Sequence, residues 1–176
     1  ANFYKGDFDW TLQQVKILKQ SSSLLIANDA IEMFLLIQDN SAEDSLRVAL
    51  QAYAKADFQL YQKKNNVALQ SFLALLEKHK GASIEAGTLL KVGEIYEQRK
   101  EYIKALTYYQ QILDHHKDGI YIDEALFFSA EIYRKFLLDN EKAKAFYEKM
   151  VLEHPDSLYY TESRKQYRTL RGDSAI

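Results

Sequence analysis

The sequence contains no cysteine, only one proline and only six glycines among its 176 residues. Without cysteine the chain can form neither disulfides nor thiolate metal sites. The absence of cysteine is compatible with both oxidising and reducing compartments. Because proline and glycine are the usual helix breakers, their scarcity leaves few places where helices could be interrupted. Alanine, leucine, lysine, glutamate and glutamine, which favour helices, are abundant instead. The composition therefore predicts an all-α protein.

The chain also lacks a strong excess of charge and a long apolar run. Its formal net charge is −2, so no basic field points to nucleic acid or to an acidic membrane. The longest apolar candidate, residues 24–37, is interrupted by Asn28, Asp29 and Glu32. No run reaches the roughly 18 residues that a membrane-spanning helix needs. We therefore predict neither a nucleic-acid partner nor direct insertion into a membrane.

The most informative feature of the sequence is an internal repeat. Residues 89–109 and 126–147 align with each other, and residues 52–72 form a third, weaker copy. Three alanines that mark the same point in each copy, Ala68, Ala105 and Ala143, are 37 and 38 residues apart. A period of this length is typical of stacked helical hairpins.

The spacing within the middle copy predicts two helices that face each other. One face of the first helix carries Leu89, Val92, Gly93 and Tyr96, and the answering face of the second carries Ala105, Tyr109 and Ile112. Gly93 has no side chain, so we predict that the second helix crosses the first closely at this point. The short connection at residues 99–101 makes the helices antiparallel. Each hairpin leaves an apolar face uncovered, so the hairpins must stack.

These residues resemble the tetratricopeptide repeat. The middle copy matches its pattern at Leu89, Val92, Gly93, Tyr96, Ala105 and Tyr109, and the last copy at Leu126, Ala130, Tyr133, Ala143, Tyr147 and Pro155. The middle copy departs from the pattern at Ile112 and Lys117, where the family usually has alanine and proline. The last copy has one extra residue in its turn, within residues 136–140, and the first copy keeps only Ala56, Ala68 and Phe72.

The resemblance implies an α-solenoid, a right-handed superhelix of antiparallel hairpins, with repeats at residues 46–80, 86–117 and 123–156. It also implies a non-enzymatic scaffold for protein interactions. The long repeat spacing is similar to that of Gram-negative envelope proteins of this family, which implies a periplasmic or outer-membrane-associated location. A cytoplasmic location is the alternative.

Residues 1–45 are predicted to be an irregular helical part that combines a severed repeat with an extra helix. Residues 6–10 read as the opening of a second helix, so we expect Trp10, Val15 and Leu18 to lack a partner. A helix over residues 22–38 has an apolar face that neighbours should bury, formed by Leu25, Ala30, Ile31, Phe34 and Leu35. The next helix is predicted to run from residue 41 to residue 61, with Ser41 as its N-cap and Glu43 and Asp44 in its first turn.

Residues 158–176 are predicted to form a C-terminal capping helix and tail. The helix extends over residues 157–171, and its outer face is basic, with Arg164, Lys165, Arg168 and Arg171. A polar outer face is what the terminal cap of a repeat stack requires. Gly172 is a suitable terminator of this helix.

The sequence contains no arrangement of residues typical of catalysis, metal binding or cofactor binding. Its four histidines, His79, His115, His116 and His154, lie near the ends of second helices, where the helix dipole favours them. Adjacent residues such as those of 114–116 point about 100° apart on a helix and converge poorly on one ion. No phosphate loop, nucleophile elbow or zinc-protease helix is present.

A partner groove is predicted on the first helices of the repeats. In this family the first helices face inward, which places Tyr53, Leu90 and Phe127 beside Asp57, Glu94 and Glu131, and the predicted groove also includes Glu97 and Arg134. Such an apolar and acidic groove would suit an amphipathic segment that carries lysine or arginine. In the alternative, the apolar residues pack between repeats and the acids serve solubility.

The sequence as a whole therefore predicts a scaffold that binds a protein or peptide partner on its concave face, as a C-terminal part of a larger envelope protein. A structural segment that packs on missing N-terminal repeats, or on a second copy of itself, is the alternative. A helical enzyme would require converging titratable groups.

Overall fold

The computed structural model describes residues 1–43 and 47–173, which form helices joined by short turns. A 3₁₀ turn over Phe3–Lys5 precedes α1 Phe8–Leu18, α2 Leu24–Glu43, α3 Val48–Tyr61, α4 Asn65–Lys78, α5 Ile84–Gln98, α6 Tyr102–His115, α7 Ile122–Lys135, α8 Asn140–Glu153 and α9 Tyr160–Arg171. The predicted all-α class is confirmed. Among the helices of this described part, none is long and apolar enough to cross a membrane.

The chain divides into two compact units, Ala1–Thr88 and Leu89–Ile176, and the division falls inside α5. In the second unit, α6 packs on α7, α7 on α8, and α8 on α9. In the first unit, α1 packs on α2 and α3 packs on α4. Within each unit, these helices therefore contact neighbours in sequence, as expected for consecutive antiparallel hairpins.

The crossing of α5 and α6 is as close as the sequence predicts. A Cβ atom added to Gly93 would lie 2.3 Å from Cε1 of Tyr109, inside the van der Waals contact distance. Small buried residues occupy the equivalent position of the other hairpins, Ala56 on α3 and Ala130 on α7. The answering alanines of the second helices, Ala105 and Ala143, are also fully buried. Small residues at both sides of the crossing thus allow the backbones to approach.

The α3–α4, α5–α6 and α7–α8 turns each use one residue in the left-handed backbone region. These residues are Lys63 with φ of 62°, Lys100 with φ of 61° and Leu138 with φ of 54°. The α7–α8 connection has four residues against three between α5 and α6, which confirms the predicted extra residue. Since residues other than glycine are disfavoured at such φ values, each of these turns carries local backbone strain.

The predicted boundary between the second and third helices is wrong. Helix α2 continues through Glu43, and α3 begins only at Val48, so Ser41 is not an N-cap. The Ser41 hydroxyl instead donates to the carbonyl oxygen of Ile37 at 2.6 Å, a bond to the preceding turn that is compatible with a continuing helix. The predicted first-turn residue Asp44 lies outside the described residues.

The apolar face predicted for α2 is not buried as a whole. Its buried apolar residues are Ala27, Ala30, Leu36 and Ile37, whereas Leu25 and Ile31 are exposed, and Phe34 and Leu35 are half-buried. The physical reason is that α2 is apolar around most of its circumference but packs mainly on α1. Trp10 and Leu18 are exposed as expected, but Val15 is buried, which contradicts the prediction for that residue.

The C-terminal helix α9 begins at Tyr160, three residues later than predicted, and packs on α8. Gly172 ends it with φ of 86°, which confirms the predicted terminator. Arg164, Lys165 and Arg171 are exposed and Arg168 is half-buried, so the basic side of α9 faces solvent for the most part.

Replacing Gly93 by alanine tests the close crossing. Alanine usually stabilises a helix by roughly 1 kcal/mol relative to glycine. Here we expect Gly93→Ala to destabilise the protein by about 1–3 kcal/mol, because its Cβ overlaps the Tyr109 ring. Urea unfolding measures the change. The double variant Gly93→Ala with Tyr109→Leu should lose less free energy of unfolding than the two single variants lose together. A Gly93→Ala variant more stable than wild type would contradict the close crossing.

Replacing Leu138 by glycine tests the strained turn. Leu138 is 76% exposed, so its side chain contributes little packing, while its positive φ suits glycine. We expect Leu138→Gly to be neutral or stabilising, by up to about 1 kcal/mol. The matched control is Leu152→Gly within α8, where a 73% exposed leucine has helical geometry and the change should cost about 1 kcal/mol. If Leu138→Gly and Leu152→Gly lowered the midpoint of thermal unfolding equally, the strain at Leu138 would be contradicted.

Candidate partner-binding site

The eight residues of the predicted groove divide between the two units. Tyr53 and Asp57 lie on α3 in the first unit. The other six lie in the second unit, with Leu90, Glu94 and Glu97 on α5, and Phe127, Glu131 and Arg134 on α7. The second unit therefore holds most of the predicted groove, and within it Glu97 lies near enough to Glu94 and Glu131 for their charges to act on it.

The apolar residues of the predicted groove are engaged in packing. Tyr53 and Leu90 are each only 3% exposed, and the Tyr53 ring meets Phe72 edge-on at 5.5 Å. Phe127 is half-buried, and its ring stacks on that of Tyr159 with centroids 4.5 Å apart. This burial favours the alternative in which the apolar residues serve packing, but the contact of Tyr53 with Phe72 lies within one repeat and not between repeats as that alternative expected. Of the three, Phe127 keeps part of its ring accessible.

Two of the predicted acids have cationic partners on their own helix. On α5, the Lys91 ammonium lies 3.2 Å from Glu94. On α7, both carboxylate oxygens of Glu131 accept hydrogen bonds from Arg134 at 3.1–3.2 Å, and Lys135 forms an ion pair with the same group. These acids are therefore largely neutralised locally, and the surface is more mixed in charge than the predicted acidic strip.

Glu131 is also bonded to the second helix of its hairpin, because the Tyr147 hydroxyl donates to its carboxylate. Burial alone would raise the pKa of Glu131, but the bonds from Lys135, Tyr147 and Arg134 outweigh it and lower the pKa. The ring of Tyr147 is fully buried in the core with Ala130 and Ala143. Glu131 thus acts as a structural carboxylate that satisfies a buried hydroxyl.

Glu97 differs from these acids, since it makes no ion pair with any described residue. Its carboxylate accepts a hydrogen bond from the Tyr109 hydroxyl at 3.0 Å. Burial raises the pKa of Glu97; the Tyr109 bond lowers it, and repulsion from Glu94 raises it further, with smaller opposing effects from Lys135 and Glu131. The pKa ends above its ordinary value. A half-buried carboxylate of this kind would gain most from an added cation.

Sequence reasoning missed the tyrosine hydroxyls that hold these groups. Phe72, Tyr109 and Tyr147 occupy the same place on the second helix of successive hairpins, and the facing first-helix residues are Leu60, Glu97 and Arg134. The first hairpin thus pairs two apolar residues, whereas the other two pair a tyrosine with a charged residue. The joint change from an apolar pair to a tyrosine with a charged residue is visible in the sequence, and it could have indicated the hydrogen bonds of these hydroxyls.

A second repeated feature, near the turn of each hairpin in the second unit, was also missed. Tyr96 stacks on Tyr108 at 5.5 Å with the Lys104 ammonium 5.2 Å from the Tyr96 ring centre. One repeat later, Tyr133 stacks on Phe146 at 5.7 Å, with Lys142 at 5.1 Å. Each hairpin of the second unit is thereby closed by two aromatic rings and a cation.

Comparison with known proteins agrees with this architecture. A family model for the tetratricopeptide repeat matches residues 88–119 and 124–157. None of the curated proteins matches the chain. Among solved structures, a tetratricopeptide repeat protein from Parabacteroides merdae is similar in fold, with a TM-score of 0.58 and 18% sequence identity. The match covers 94% of this chain and 60% of that protein, so this chain spans less than two thirds of its length.

The family match and the structural likeness confirm the resemblance predicted from the sequence. The two matched segments overlap the second and third predicted repeats at residues 86–117 and 123–156. At 18% identity, the structural likeness establishes the fold alone.

Replacing Tyr109 by phenylalanine tests the bond to Glu97. Loss of the hydroxyl should destabilise the protein by about 1–2 kcal/mol, because a half-buried carboxylate loses its donor. The pKa of Glu97 should rise further, since the lost bond lowers it. Denaturant unfolding and an NMR titration of the Glu97 carboxyl measure the two effects. The control, Tyr61→Phe, removes an exposed hydroxyl and should change neither, and an unchanged Glu97 pKa in Tyr109→Phe would contradict the bond.

Proposed function

We propose that this chain, which carries tetratricopeptide repeats at residues 88–119 and 124–157, is a non-enzymatic scaffold that holds a segment of a partner protein. Repeats of this kind generally serve as scaffolds, because stacked hairpins present long surfaces rather than enclosed clefts. The proposed contact surface is formed by α5 and α7 of the second unit.

The observation that carries this proposal is the Glu97 carboxylate. It is half-buried, its pKa is raised, and it makes no ion pair with any residue that the structure describes. A lysine or arginine side chain from a partner would supply the missing cation in a partly desolvated position, where such a pair is stronger than on an open surface. The proposed partner segment is therefore basic.

The neighbouring ring of Phe127 supports an amphipathic partner. Phe127 and Glu131 are four residues apart on α7, so they lie on one face of that helix. The stacked rings of Phe127 and Tyr159 are both half-buried and present an apolar surface beside charged groups. An amphipathic helix or extended segment that places apolar residues next to lysine or arginine would suit this combination.

An enzymatic role is less well supported. A catalytic site needs titratable groups that converge on a reacting atom. Near Glu97, the carboxylates of Glu94 and Glu131 are already bonded to lysine or arginine, and the pKa of Tyr109 is raised by its burial and by Glu97 and Glu94. Such a cluster favours charge recognition over proton transfer.

The proposed location is the periplasm or the outer membrane of a Gram-negative cell, with the cytoplasm as the alternative. The support is the spacing of 37 and 38 residues between the marker alanines, which resembles that of envelope members of the family. Fractionation of cells that express the tagged parent protein would distinguish the two.

The binding proposal predicts a pH dependence centred on Glu97. Partners are first recovered with the intact protein, and their affinity is then measured by calorimetry. A basic partner pairs with the charged, deprotonated form of Glu97, so affinity should fall as the pH is lowered through the pKa of this group. Because that pKa is raised, the fall should occur at a higher pH than for an ordinary glutamate. Glu97→Gln should weaken binding by about tenfold or more and flatten this dependence.

The matched control for that experiment is Glu141→Gln on α8. Its carboxylate is 83% exposed and its ion pair with Lys144 lies on the second-helix side, so its removal should leave partner affinity unchanged. Equal affinity of wild type and Glu97→Gln would contradict the proposed site. Glu131 is unsuited to the test, because its replacement would also remove the partner of Tyr147.

A further inference from the structure

The second unit contains a cleft that is lined by α6, α7 and α8. Its volume is about 440 Å³, within the roughly 300–1,000 Å³ that ligand sites usually have. The α6 side chains that line it recur every three or four residues from Ile103 to Asp114, so they share one face of that helix. Ser129 and Tyr133 of α7 and Phe146 of α8 complete the lining.

The cleft lies apart from the proposed surface around Glu97. Ser129 follows Phe127 by two residues on α7, and two residues turn a helix by about 200°, so the two side chains leave α7 on nearly opposite sides. Ser129 and Tyr133 are four residues apart and share the side that faces the cleft. A ligand in the cleft would therefore contact other residues than those proposed to bind a partner at Glu97.

Ser129 brings a buried hydroxyl without a partner to the cleft. The residue is only 1% exposed, and its hydroxyl makes no hydrogen bond with any residue that the structure describes. A buried hydroxyl on a helix commonly bonds to the carbonyl four residues earlier, as Thr88 does to Ile84 at 2.7 Å. Because a buried polar group without such a bond costs free energy, a ligand atom that bonds to Ser129 would recover it.

Two glutamines of the cleft have their amide groups oriented by bonds within α6. The amide nitrogen of Gln110 donates to Oδ1 of Asp114 at 2.8 Å, and that of Gln111 donates to the carbonyl oxygen of Thr107 at 3.3 Å. Since an ionised carboxylate and a carbonyl only accept, these bonds determine which end of each amide is the nitrogen. Both amide oxygens therefore remain as acceptors, and neither takes a hydrogen bond from a described residue.

The charge of the cleft has one sign. Asp114 is the only charged residue in the lining, and it forms no ion pair within the described part of the chain. The ammonium of Lys142 lies 5.1 Å from the Tyr133 ring centre, but it is already paired with Asp139 at 3.1 Å. The polar end of the cleft thus offers a carboxylate and two amide oxygens, all of them acceptors, to a ligand.

We propose that this cleft binds an arginine side chain from a segment of a partner protein. A guanidinium group has five N–H donors and no acceptor, so it matches the carboxylate, the two amide oxygens and the Ser129 hydroxyl. The apolar end, with Ile103, Leu106 and Phe146, suits the aliphatic stem of the arginine. An apolar side chain alone would cover the acceptors without supplying donors, and the compact ammonium of lysine supplies fewer of them.

An NMR titration of the isotope-labelled full chain with the peptide acetyl-Leu-Arg-Leu-amide tests the site. We expect the backbone signals of residues 103–114 and 129–146 to shift, and to shift equally in the Glu97→Gln variant. Peptides in which citrulline, lysine or norleucine replaces arginine should bind at least roughly threefold more weakly. Citrulline keeps the shape without the charge, lysine keeps the charge without the planar donors, and norleucine has neither.

Two variants test the groups that the arginine should contact. Asp114→Asn should weaken binding of the arginine peptide by roughly threefold or more, because it removes the charge but keeps an acceptor for Gln110. Ser129→Ala should weaken binding without lowering the free energy of unfolding, since its hydroxyl has no bond to lose in the free protein. The matched control, Glu77→Gln, removes an exposed acid of α4 in the first unit and should leave the affinity unchanged.

The proposal is overturned if the arginine peptide shifts no signals of the cleft, or if Asp114→Asn binds it as tightly as wild type does. Equal binding of the citrulline or lysine peptide would overturn the assignment to a guanidinium group. Equal or tighter binding of the norleucine peptide would overturn it in favour of an apolar side chain. Because the titration is repeated with Glu97→Gln, failure at the cleft and failure of the proposed site at Glu97 are distinguishable.

Discussion

The structure of each hairpin depends on the close crossing of its two helices. At Gly93 there is room for the Tyr109 ring only because no Cβ is present, and Ala56 and Ala130 hold the same position in the other hairpins. Helices that approach this closely bury the rings of Tyr109 and Tyr147 completely. A buried tyrosine requires a partner for its hydroxyl, so the crossing also determines where the polar groups of the first helices must lie.

The two repeats of the second unit meet this requirement in different ways. Tyr147 donates to Glu131, whose charge is balanced by Arg134 and Lys135, and the pKa of that carboxyl is lowered. Tyr109 donates to Glu97, which has no such balance, and its pKa is raised. The same packing constraint therefore yields one carboxylate that is structurally saturated and one that can still accept a cation. This asymmetry is the basis of the proposed partner site.

The first unit has the opposite balance between packing and exposure. In its α3–α4 hairpin, Phe72 and Tyr53 meet through apolar contact, and the place of Glu97 is taken by Leu60. Helices α1 and α2 bury Phe8 and Ile37 but leave Trp10, Ile17 and Leu24 more than half exposed. Apolar area exposed in this way costs free energy in water, which favours contact with another surface.

Much of this organisation could be predicted from the sequence. The hairpins follow from the period of 37 and 38 residues, from the small residues Ala56, Gly93 and Ala130 at the helix crossings, and from the extra residue before α8. Helix periodicity and turn length are local properties, so they can be predicted without the structure. Local patterns did not identify the end of α2, since Ser41 can either cap a helix or bond to its preceding turn.

The candidate site could be predicted only in outline. Helix periodicity places Glu94, Glu97, Glu131 and Arg134 on first helices, and the structure leaves them there. Which carboxylate is neutralised depends on residues that approach from the second helix, Tyr109 and Tyr147, and on the rotamers of Arg134 and Lys135. The repeat, its helices and its small crossing residues follow from local sequence patterns. Which charges are satisfied and which apolar residues stay exposed depends on the folded chain, because both follow from contacts between helices rather than from order along the chain.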